Sequence, residues 1–363
     1  MLKNWINIFL FHIKNNKLFT ALNVLGLSIG IAGLIFAILY WNDEQSYDQW
    51  NPGKEQVYQV INQLSADDIW AYNTVPFGFT SKALIPEIES ICFFTSYYDS
   101  GIVQYNGRKF IEEKFIKSDN VFFDMFPFPI LKGSKTNILA DKNSVALSEQ
   151  KAQLIFGNSN PIGKLIQLED TFYTVKAVYK MEPHSSIVPD YVFSNVLHEQ
   201  DRESWGNFNY GLLIKIKKGV AVEEVNKKMQ NVLRVNYYQK EALSEGKTLE
   251  QYIKENGEIT VILDQLKTAR LYGTPSSMGY NFPEGKANLQ MLYIMIGLSV
   301  LILLLSVFNY INLATADAIK RAKEVGVRKI IGATKGNIVL QFIFETILIS
   351  TFSILLAMVI VEL

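Results

Sequence analysis

The chain has 363 residues, a hydrophobic content of 49% and a formal net charge of +0 at pH 7. This mixture is too apolar for an average soluble domain and too polar for a protein made only of membrane helices. A zero net charge gives no support for a nucleic-acid partner, and the single cysteine, Cys92, excludes an intramolecular disulfide framework. The composition predicts a membrane protein with a sizeable aqueous domain, in which we expect Cys92 to be a buried thiol.

Residues 1–20 predict a helix that lies on the cytoplasmic leaflet of the membrane. Their apolar residues share one helical face, and three lysines add positive charge with no acidic residue to oppose it. Residues 21–41 follow without a charged residue and end in Tyr40 and Trp41, which is typical of a transmembrane helix that reaches the far interface. A cleaved signal peptide is the alternative, but its apolar core is shorter and small residues follow it.

Three glycines lie within this predicted span, at Gly26, Gly30 and Gly33. Small residues at such spacings let a second helix approach closely, and Gly26 and Gly30 have the GxxxG spacing of helix-packing motifs. Because this spacing is common by chance, we treat the packing role of the three glycines as an expectation to be tested.

Residues 42–288 contain no further apolar span, so they predict one aqueous domain on the far side of the membrane. Its pattern is α+β, with two β-α-β units. A strand, a helix and a strand are predicted in each unit, at 54–65, 80–88 and 91–98 in the first and at 210–216, 222–237 and 259–263 in the second.

The stretch between these two units is rich in predicted strands. Asn106-Gly107 and Glu169-Asp170 each separate two strand-like runs by two residues, which is the spacing of a tight β-hairpin. Ser148 is a candidate N-cap for a short helix that ends at a glycine. Two β-α-β units around such an insertion predict a ferredoxin-like lobe that carries a smaller, strand-rich lobe.

Two further apolar segments, 289–313 and 338–361, each exceed the roughly 20 residues needed to cross a bilayer. Only Glu345 places a charge in either of them. A carboxylate in lipid is unfavourable, so Glu345 either reaches the cytosolic interface or packs against protein, and both alternatives are open at this point. The chain is therefore predicted to cross the lipid bilayer three times.

The segment between these spans, residues 314–337, has an excess of lysine and arginine, which predicts a cytoplasmic loop. Val327, Ile330 and Ile331 fall on one helical face of this loop. One interpretation is a basic loop that touches anionic lipid headgroups, and the other is a short helix that docks on a soluble cytoplasmic partner. The candidate docking residues are Glu324, Val325, Gly326, Val327, Arg328, Lys329, Ile330, Ile331 and Gly332.

No nucleotide-binding or catalytic motif is found in the sequence. Because GxxxxGK[ST] is absent, we do not expect the chain to bind ATP as a P-loop protein, and energy would have to come from a partner. GxSxG is also absent, and no cysteine pairs with a histidine, so nucleophilic catalysis has no visible apparatus. His184 and His198 lack the spacing of a zinc site, so we expect them in loops or caps, with no metal and no cofactor.

Four stretches of the chain are similar to the FtsX-like, MacB-like permeases of ABC transporters, in the large form of Bacteroidetes-type bacteria. They are residues 1–32, residues 121–133 (VFFDMFPFPILKG), residues 144–166 (SVALSEQKAQLIFGNSNPIGKLI) and residues 309–345, with NYINLATADAIKRAKEVGVRKIIGAT in the last. The four stretches are distributed along the chain from residue 1 to residue 345.

The resemblance implies a permease in the bacterial cytoplasmic (inner) membrane, with 42–288 as a MacB-like periplasmic core domain and 289–363 as the start of an FtsX-like domain. It implies an ABC ATPase partner that binds the ATP, and a second permease half or a second copy of the chain. Such proteins couple ATP hydrolysis to periplasmic domain motion without passing substrate through a membrane channel. The family pattern has a fourth helix, so we expect the reading frame to continue past Leu363.

A membrane-anchored periplasmic binding or sensory protein without an ATPase is the alternative function. In that case the loop contacts lipid and the periplasmic domain only captures a ligand. An ATPase reading frame beside the gene is expected only for a permease. The resemblance does not select a substrate, because one scaffold can serve many substrates.

The placement of lysine and arginine predicts that 314–337 is cytoplasmic and that the domain lies outside the membrane. Cysteines introduced at Asn106 and Glu169 should react with an impermeant maleimide in intact spheroplasts, whereas a cysteine introduced at Lys335 should not. The reverse labelling pattern would contradict this topology.

Overall fold

The computed structural model describes residues 2–15, 17–95, 101–112, 114–194, 196–277, 288–320, 326–327, 330 and 334–363. The chain forms two compact units. One consists of Met1–Glu44 and Asn288–Leu363 and is helical, and the other, Gln45–Ala287, is an α+β domain.

Two helices begin the chain, α1 (Leu2–Asn15) and α2 (Lys17–Ser46). α2 contains the predicted span 21–41 and extends past both of its ends. No proline or glycine stands at either predicted boundary, so nothing in the local sequence stops the helix there. The part of α2 from Thr20 to Ser46 is apolar and long enough to cross a membrane.

The ferredoxin-like lobe is formed by two β-α-β units that are far apart in the chain. The first unit consists of β1 (Val57–Gln63), β2 (Ile69–Trp70), α3 (Val75–Leu84) and β3 (Ile88–Phe94). The predicted bounds of its helix, 80–88, are wrong. α3 begins earlier because the Thr74 side chain accepts a hydrogen bond from the backbone N–H of Phe77 and Pro76 favours the first turn.

The strand-rich lobe follows, between residues 101 and 193. Its elements are β4 (Gly101–Tyr105), β5 (Arg108–Glu112), β6 (Phe115–Lys117), α4 (Phe122–Met125), β7 (Ile130–Gly133), β8 (Ser144–Ser148), α5 (Glu149–Phe156), β9 (Leu165–Leu168), β10 (Thr171–Tyr179) and β11 (Tyr191–Phe193). The eight strands among them form one sheet in the order β5-β4-β9-β10-β8-β11-β6, with β7 beside β10.

The predicted turns and cap of this lobe are present. Asn106 and Gly107 have φ values of 49° and 78°, as the two central residues of a tight hairpin turn require, and they join β4 to β5. Glu169, with a φ of 53°, turns β9 into β10. Ser148 caps α5 by accepting a hydrogen bond from the backbone N–H of Lys151.

The second unit of the ferredoxin-like lobe adds two strands to the sheet that contains β1 and β3. Its elements are β12 (Gly211–Ile216), α6 (Val222–Leu233), α7 (Gln239–Ser244), α8 (Leu249–Asn256), β13 (Thr260–Gln265) and α9 (Leu266–Tyr272), and one turn of π-helix, Arg234–Tyr238, joins α6 to α7. The strands lie in the order β13-β1-β12-β3 and all neighbours are antiparallel. This is the arrangement of a ferredoxin-like β-α-β-β-α-β fold, so the predicted fold class is confirmed.

The two lobes share a hydrophobic core because the ferredoxin-like sheet is apolar on both faces. One face, which includes Val60 and Leu212, packs against α3 and α6. The other face, with Leu213 and Cys92, packs against Phe122 and its neighbours in the strand-rich lobe. The lobes are therefore packed together rather than merely linked.

Two long helices end the chain, α10 (Leu289–Lys320) and α11 (Lys335–Glu362). Both are apolar and long enough to cross a membrane. α11 begins three residues before the predicted span at 338, because Thr334 caps it by accepting a hydrogen bond from the backbone N–H of Asn337.

Asp119 and Ser118 join the two lobes beside Cys92. The backbone N–H groups of Phe93 and Val121 donate to the Asp119 carboxylate at 2.8 and 2.9 Å, and Ser118 Oγ donates to the Phe93 carbonyl at 2.8 Å. Cys92 is buried, as expected, with Sγ 3.3 Å from Ser118 Oγ, and burial raises the pKa of its thiol well above the ordinary value. These contacts connect β3 to the segment that follows β6.

Burial raises the pKa of Asp119 from 3.8 to about 6, against the hydrogen bonds from Phe93 and Val121, which lower it. The folded chain therefore holds this proton more tightly than the unfolded chain. The resulting stabilisation is complete below the ordinary pKa and is lost as the pH rises through about 6. We expect Asp119→Asn to remove about 2 kcal/mol from the pH dependence of the free energy of unfolding between pH 4 and 7.

Urea denaturation of the full chain in detergent across this pH range measures the effect. Asp170→Asn, at an exposed carboxylate of the same lobe that does not contribute to the Asp119 shift, is the control. The same pH dependence in wild type and Asp119→Asn would contradict the assignment.

Candidate functional site

The predicted docking residues lie mostly outside the described part of the chain. Those outside it are Glu324, Val325, Arg328, Lys329, Ile331 and Gly332. Gly326, Val327 and Ile330 are described as helical, and the Val327 and Ile330 side chains are 56% and 87% exposed. Two of the proposed apolar anchors are thus accessible, and the docking role of the whole set stays a prediction.

α11 continues almost directly from these residues. Only a short segment separates Ile330 from Thr334, whose side chain caps the helix. Sequence reasoning missed this cap, although a threonine three residues before Asn337 is a recognisable N-cap pattern.

The three glycines of α2 lie where α2 and α10 approach most closely. A Cβ atom added to Gly26 would lie 2.6 Å from Ser306 Oγ, and one added to Gly30 would lie 2.7 Å from Leu303 Cγ. A Cβ added to Gly33 would collide with Ser299. We call these six residues the glycine seam; a larger side chain at one of the three glycines requires the facing Ser306, Leu303 or Ser299 side chain to move.

Glu345 faces protein in α11. Its side chain is 8% exposed and accepts a hydrogen bond from Gln341 Nε2 at 3.0 Å. Of the two alternatives for this carboxylate, packing against protein is the one observed. The neighbouring Phe344 ring contacts Trp5 of α1 with ring centroids 5.7 Å apart, so α1 packs against α11.

The chain enters the α+β domain through a set of buried polar contacts directly after α2. The backbone N–H of Asp48 donates to the His184 carbonyl at 2.7 Å. The Asp48 carboxylate accepts two hydrogen bonds from Ser186, one from its backbone N–H at 2.9 Å and one from its hydroxyl. Asp48 is 1% exposed, so these bonds compensate for the burial of its carboxylate.

Arg270 joins the last helix of the domain, α9, to the same point. Its guanidinium lies 3.5 Å from the centroid of the Tyr47 ring, and that ring packs edge-to-face on His184 at 5.2 Å. Burial raises the pKa of Asp48, while the Ser186 hydrogen bonds and the charge of Arg270 oppose the rise. The segment that enters the domain is thereby tied to the segment that leaves it.

Asn51 extends these contacts into the strand-rich lobe, since its Nδ2 donates to the Met125 carbonyl at 2.8 Å. We call Tyr47, Asp48, Asn51, Ser186 and Arg270 the anchor. Sequence reasoning missed it, because its partners are remote in the chain. The only local signal was the run of turn-forming residues DQWNPG directly after the first span.

In the ranges that the structure describes, no three His, Cys, Asp or Glu side chains cluster as metal ligands would. His184 and His198 both lie in loops, as expected. The features that the structure describes are a closely packed helix pair and a domain entrance fixed by buried polar contacts.

Two protein-family models match the chain. The MacB-like periplasmic core domain matches residues 20–232, and the FtsX-like permease C-terminal region matches residues 296–363. The first match covers the span α2 and most of the α+β domain, and the second covers α10, the loop and α11.

Curated relatives match at low identity over nearly the whole chain. The macrolide export ATP-binding/permease protein MacB of Neisseria meningitidis serogroup B is 20% identical over 354 residues, 92% of this chain and 48% of the relative. The protein of the same name from Mannheimia succiniciproducens is 21% identical over 355 residues, with the same two shares. The chain thus spans about half the length of these relatives.

Two solved structures are also similar to part of the chain. A domain of a putative permease from Porphyromonas gingivalis has a TM-score of 0.49 at 16% identity and covers 68% of this chain and 99% of that domain. The periplasmic region of MacB from Actinobacillus actinomycetemcomitans has a TM-score of 0.40 at 15% identity, covering 59% and 90%.

The anchor generates a stability prediction. Ser186→Ala removes the hydroxyl that donates to the buried Asp48 carboxylate, so we expect the free energy of unfolding to fall by about 1–3 kcal/mol. Denaturation of the full chain in detergent, followed by tryptophan fluorescence, measures it. Ser244→Ala is the matched control, because that serine is exposed and donates only to a carbonyl in its own helix turn. Equal losses in the two variants would contradict the importance of the Asp48 bond.

Proposed function

We propose a function for this chain from the premise that it belongs to the family of ABC transporter permeases with a MacB-like periplasmic core and an FtsX-like permease domain. The chain is the permease of a transporter that works by mechanotransmission in the bacterial inner membrane. A partner ABC ATPase, separate or fused, hydrolyses ATP in the cytosol, and the permease converts that event into motion of its periplasmic domain. The motion drives export or extraction of a substrate on the periplasmic side.

One feature supports this proposal most. α2 runs unbroken from Lys17 to Ser46, and the residues that follow it directly, Tyr47 and Asp48, are fixed in the domain by the anchor. A helix is stiff along its axis because each turn is hydrogen-bonded to the next. A shift of α2 along its axis would therefore move the domain through Tyr47 and Asp48, which the anchor contacts hold in place.

The dependence on a partner follows from what the chain contains. Its relatives are named as combined ATP-binding and permease proteins, and this chain spans about half their length. The periplasmic-core and permease family models both match this chain, and its sequence has no P-loop motif. ATP binding then belongs to another polypeptide segment, and a second permease half or a second copy completes the membrane part.

The contact with the ATPase is made by the loop between α10 and α11. Val327, Ile330 and Ile331 act as apolar anchors in a groove of the ATPase, with Glu324 and Arg328 at its rim. Gly326 and Gly332 permit a sharp entry and exit of the chain. Force from the ATPase then enters α11 at Thr334.

The loop contact predicts an order among variants. Ile330→Ala removes a large apolar anchor and should cost ~2 kcal/mol, which is over tenfold in affinity for the ATPase. Gly326→Val should also weaken binding, although a Cβ at Gly326 meets no other described atom within 4 Å in the free chain. The double change Lys320→Gln with Lys323→Gln should leave the affinity for the ATPase nearly unchanged, because about 1 kcal/mol per lysine is contributed to contact with anionic lipid and not to the groove.

Co-purification with the ABC ATPase encoded beside the gene, and stimulation of its hydrolysis, measure the effect. Ile343→Ala, at an exposed isoleucine within α11, is the matched control and should bind like wild type. If Ile330→Ala and Gly326→Val bind normally and only the lysine changes matter, the loop contacts lipid and the proposed coupling is wrong.

A further inference from the structure

Two adjacent residues of α10, Asn309 and Tyr310, make polar contacts with two different helices. Asn309 Nδ2 donates to Asn23 Oδ1 of α2 at 3.0 Å, and the Tyr310 hydroxyl lies 2.6 Å from Thr346 Oγ1 of α11. We propose that Asn309 and Tyr310 are positioning residues that fix the axial register of α2 and α11 on α10, so that a displacement of α11 carries α2 with it. This inference rests on the proposed function and names the residues that connect the loop to α2.

The contact with α2 is enclosed on the α2 side, whereas Asn309 is exposed. Asn23 is 0% exposed, and its own Nδ2 has no acceptor among the described residues, so its Oδ1 makes the bond that compensates for burial. In an apolar surrounding an amide without a partner is unfavourable. Sliding either helix by one turn, about 5.4 Å, would separate Asn23 from Asn309 and leave both amides unpaired. The bond therefore favours one register over its neighbours.

The glycine seam cannot supply the same directionality. Ser299 and Ser306 face the glycines, but each donates its single hydroxyl proton to a carbonyl of its own helix, at 2.7 Å to Met295 and 2.8 Å to Ile302. The seam thus contributes close packing, which depends on shape. The Asn23–Asn309 bond adds a requirement for one particular pair of positions.

The α11 contact has a defined direction as well. Thr346 donates its only hydroxyl proton to the Phe342 carbonyl at 3.0 Å, so Tyr310 is the donor in the contact between the two side chains. Two residues before Thr346, Phe344 contacts Trp5 of α1. At this level α11 is held by α1 through an aromatic contact and by α10 through a hydrogen bond.

The register of α2 on α10 can be measured by disulfide cross-linking in membranes, with Cys92→Ala as the background. A Cβ at Gly26 lies 3.4 Å from Ser306 Cβ, which is close to disulfide geometry. The first pair is therefore Gly26→Cys with Ser306→Cys. The second pair, Gly30→Cys with Ser306→Cys, is out of register by one turn.

In the native background we expect the first pair to cross-link at least about tenfold faster than the second, because one turn moves a thiol about 5.4 Å. Asn309→Leu, which removes the amide at similar size, should lower this ratio by about threefold. Tyr310→Phe is the matched control next in the chain, and it should leave the ratio unchanged because Tyr310 faces α11. An unchanged ratio in Asn309→Leu, or no preference in the native background, would overturn the proposal.

The α11 contact is tested by a double-mutant cycle on the full chain in mixed micelles. Tyr310→Phe and Thr346→Val should each speed SDS-induced unfolding by about threefold, and the double variant should be no faster than either single one. Thr346→Ser, which keeps the hydroxyl, should unfold at the wild-type rate, unlike Thr346→Val. Additive effects, or no rescue by serine, would overturn the contact. Neither experiment contains an ATPase, so a negative result in either one refutes only the register proposal. The proposed function would be refuted by a different result, namely a wild-type chain that does not bind the ATPase.

Discussion

The antiparallel pairing of β1 with β13 is the contact on which the rest of the domain depends. It places Tyr58 opposite Gln265, so the first and last strands of the domain lie side by side. The start of β1 and the end of β13 therefore lie at the same end of the sheet. The Lys267–Glu55 ion pair, at 2.7 Å, and the anchor at Asp48 and Arg270 join the segment before β1 to the helix that follows β13. Beyond α9 the chain returns to the other end of β1, where the Ser277 backbone N–H donates to the Ile69 carbonyl at 2.8 Å.

The helical unit obeys a different constraint, which is that polar side chains among apolar helices need partners inside the bundle. Its serines and threonines donate to carbonyls of their own helices, as Ser28 does to Val24 at 2.5 Å. Asn309 and Tyr310 instead reach across to other helices, and Glu345 is paired with Gln341. The polar groups of this unit thus divide into those that bond within one helix and those that bond between helices.

Local signals carried the sequence predictions that the structure confirms. The hairpin at Asn106-Gly107 was predictable because two successive positive φ values favour these residue types, and the α5 cap was predictable from Ser148. Two β-α-β units around an insertion were enough for the fold class, but the strand order was not, since β1 and β13 are about 200 residues apart and pairing at that distance leaves no local pattern. The anchor was missed for the same reason, because Asp48 and Ser186 are separated by 138 residues. The start of α3 was mispredicted although Thr74 and Pro76 mark it, and the alternatives for Glu345 needed the packed helices to be decided.

In the proposed function, ATP hydrolysis on the cytosolic side displaces the anchor relative to the bilayer. A nitroxide attached at Gln49→Cys, an exposed position beside Asp48, reports this displacement by electron paramagnetic resonance. The readout is the accessibility of the nitroxide to a water-soluble relaxation agent compared with its accessibility to a lipid-soluble one. In proteoliposomes that contain the chain and its ABC ATPase, the account predicts that ATP changes the balance of the two accessibilities and that a slowly hydrolysed ATP analogue holds the changed value. An unchanged balance while ATP is being hydrolysed by the bound ATPase would contradict the account.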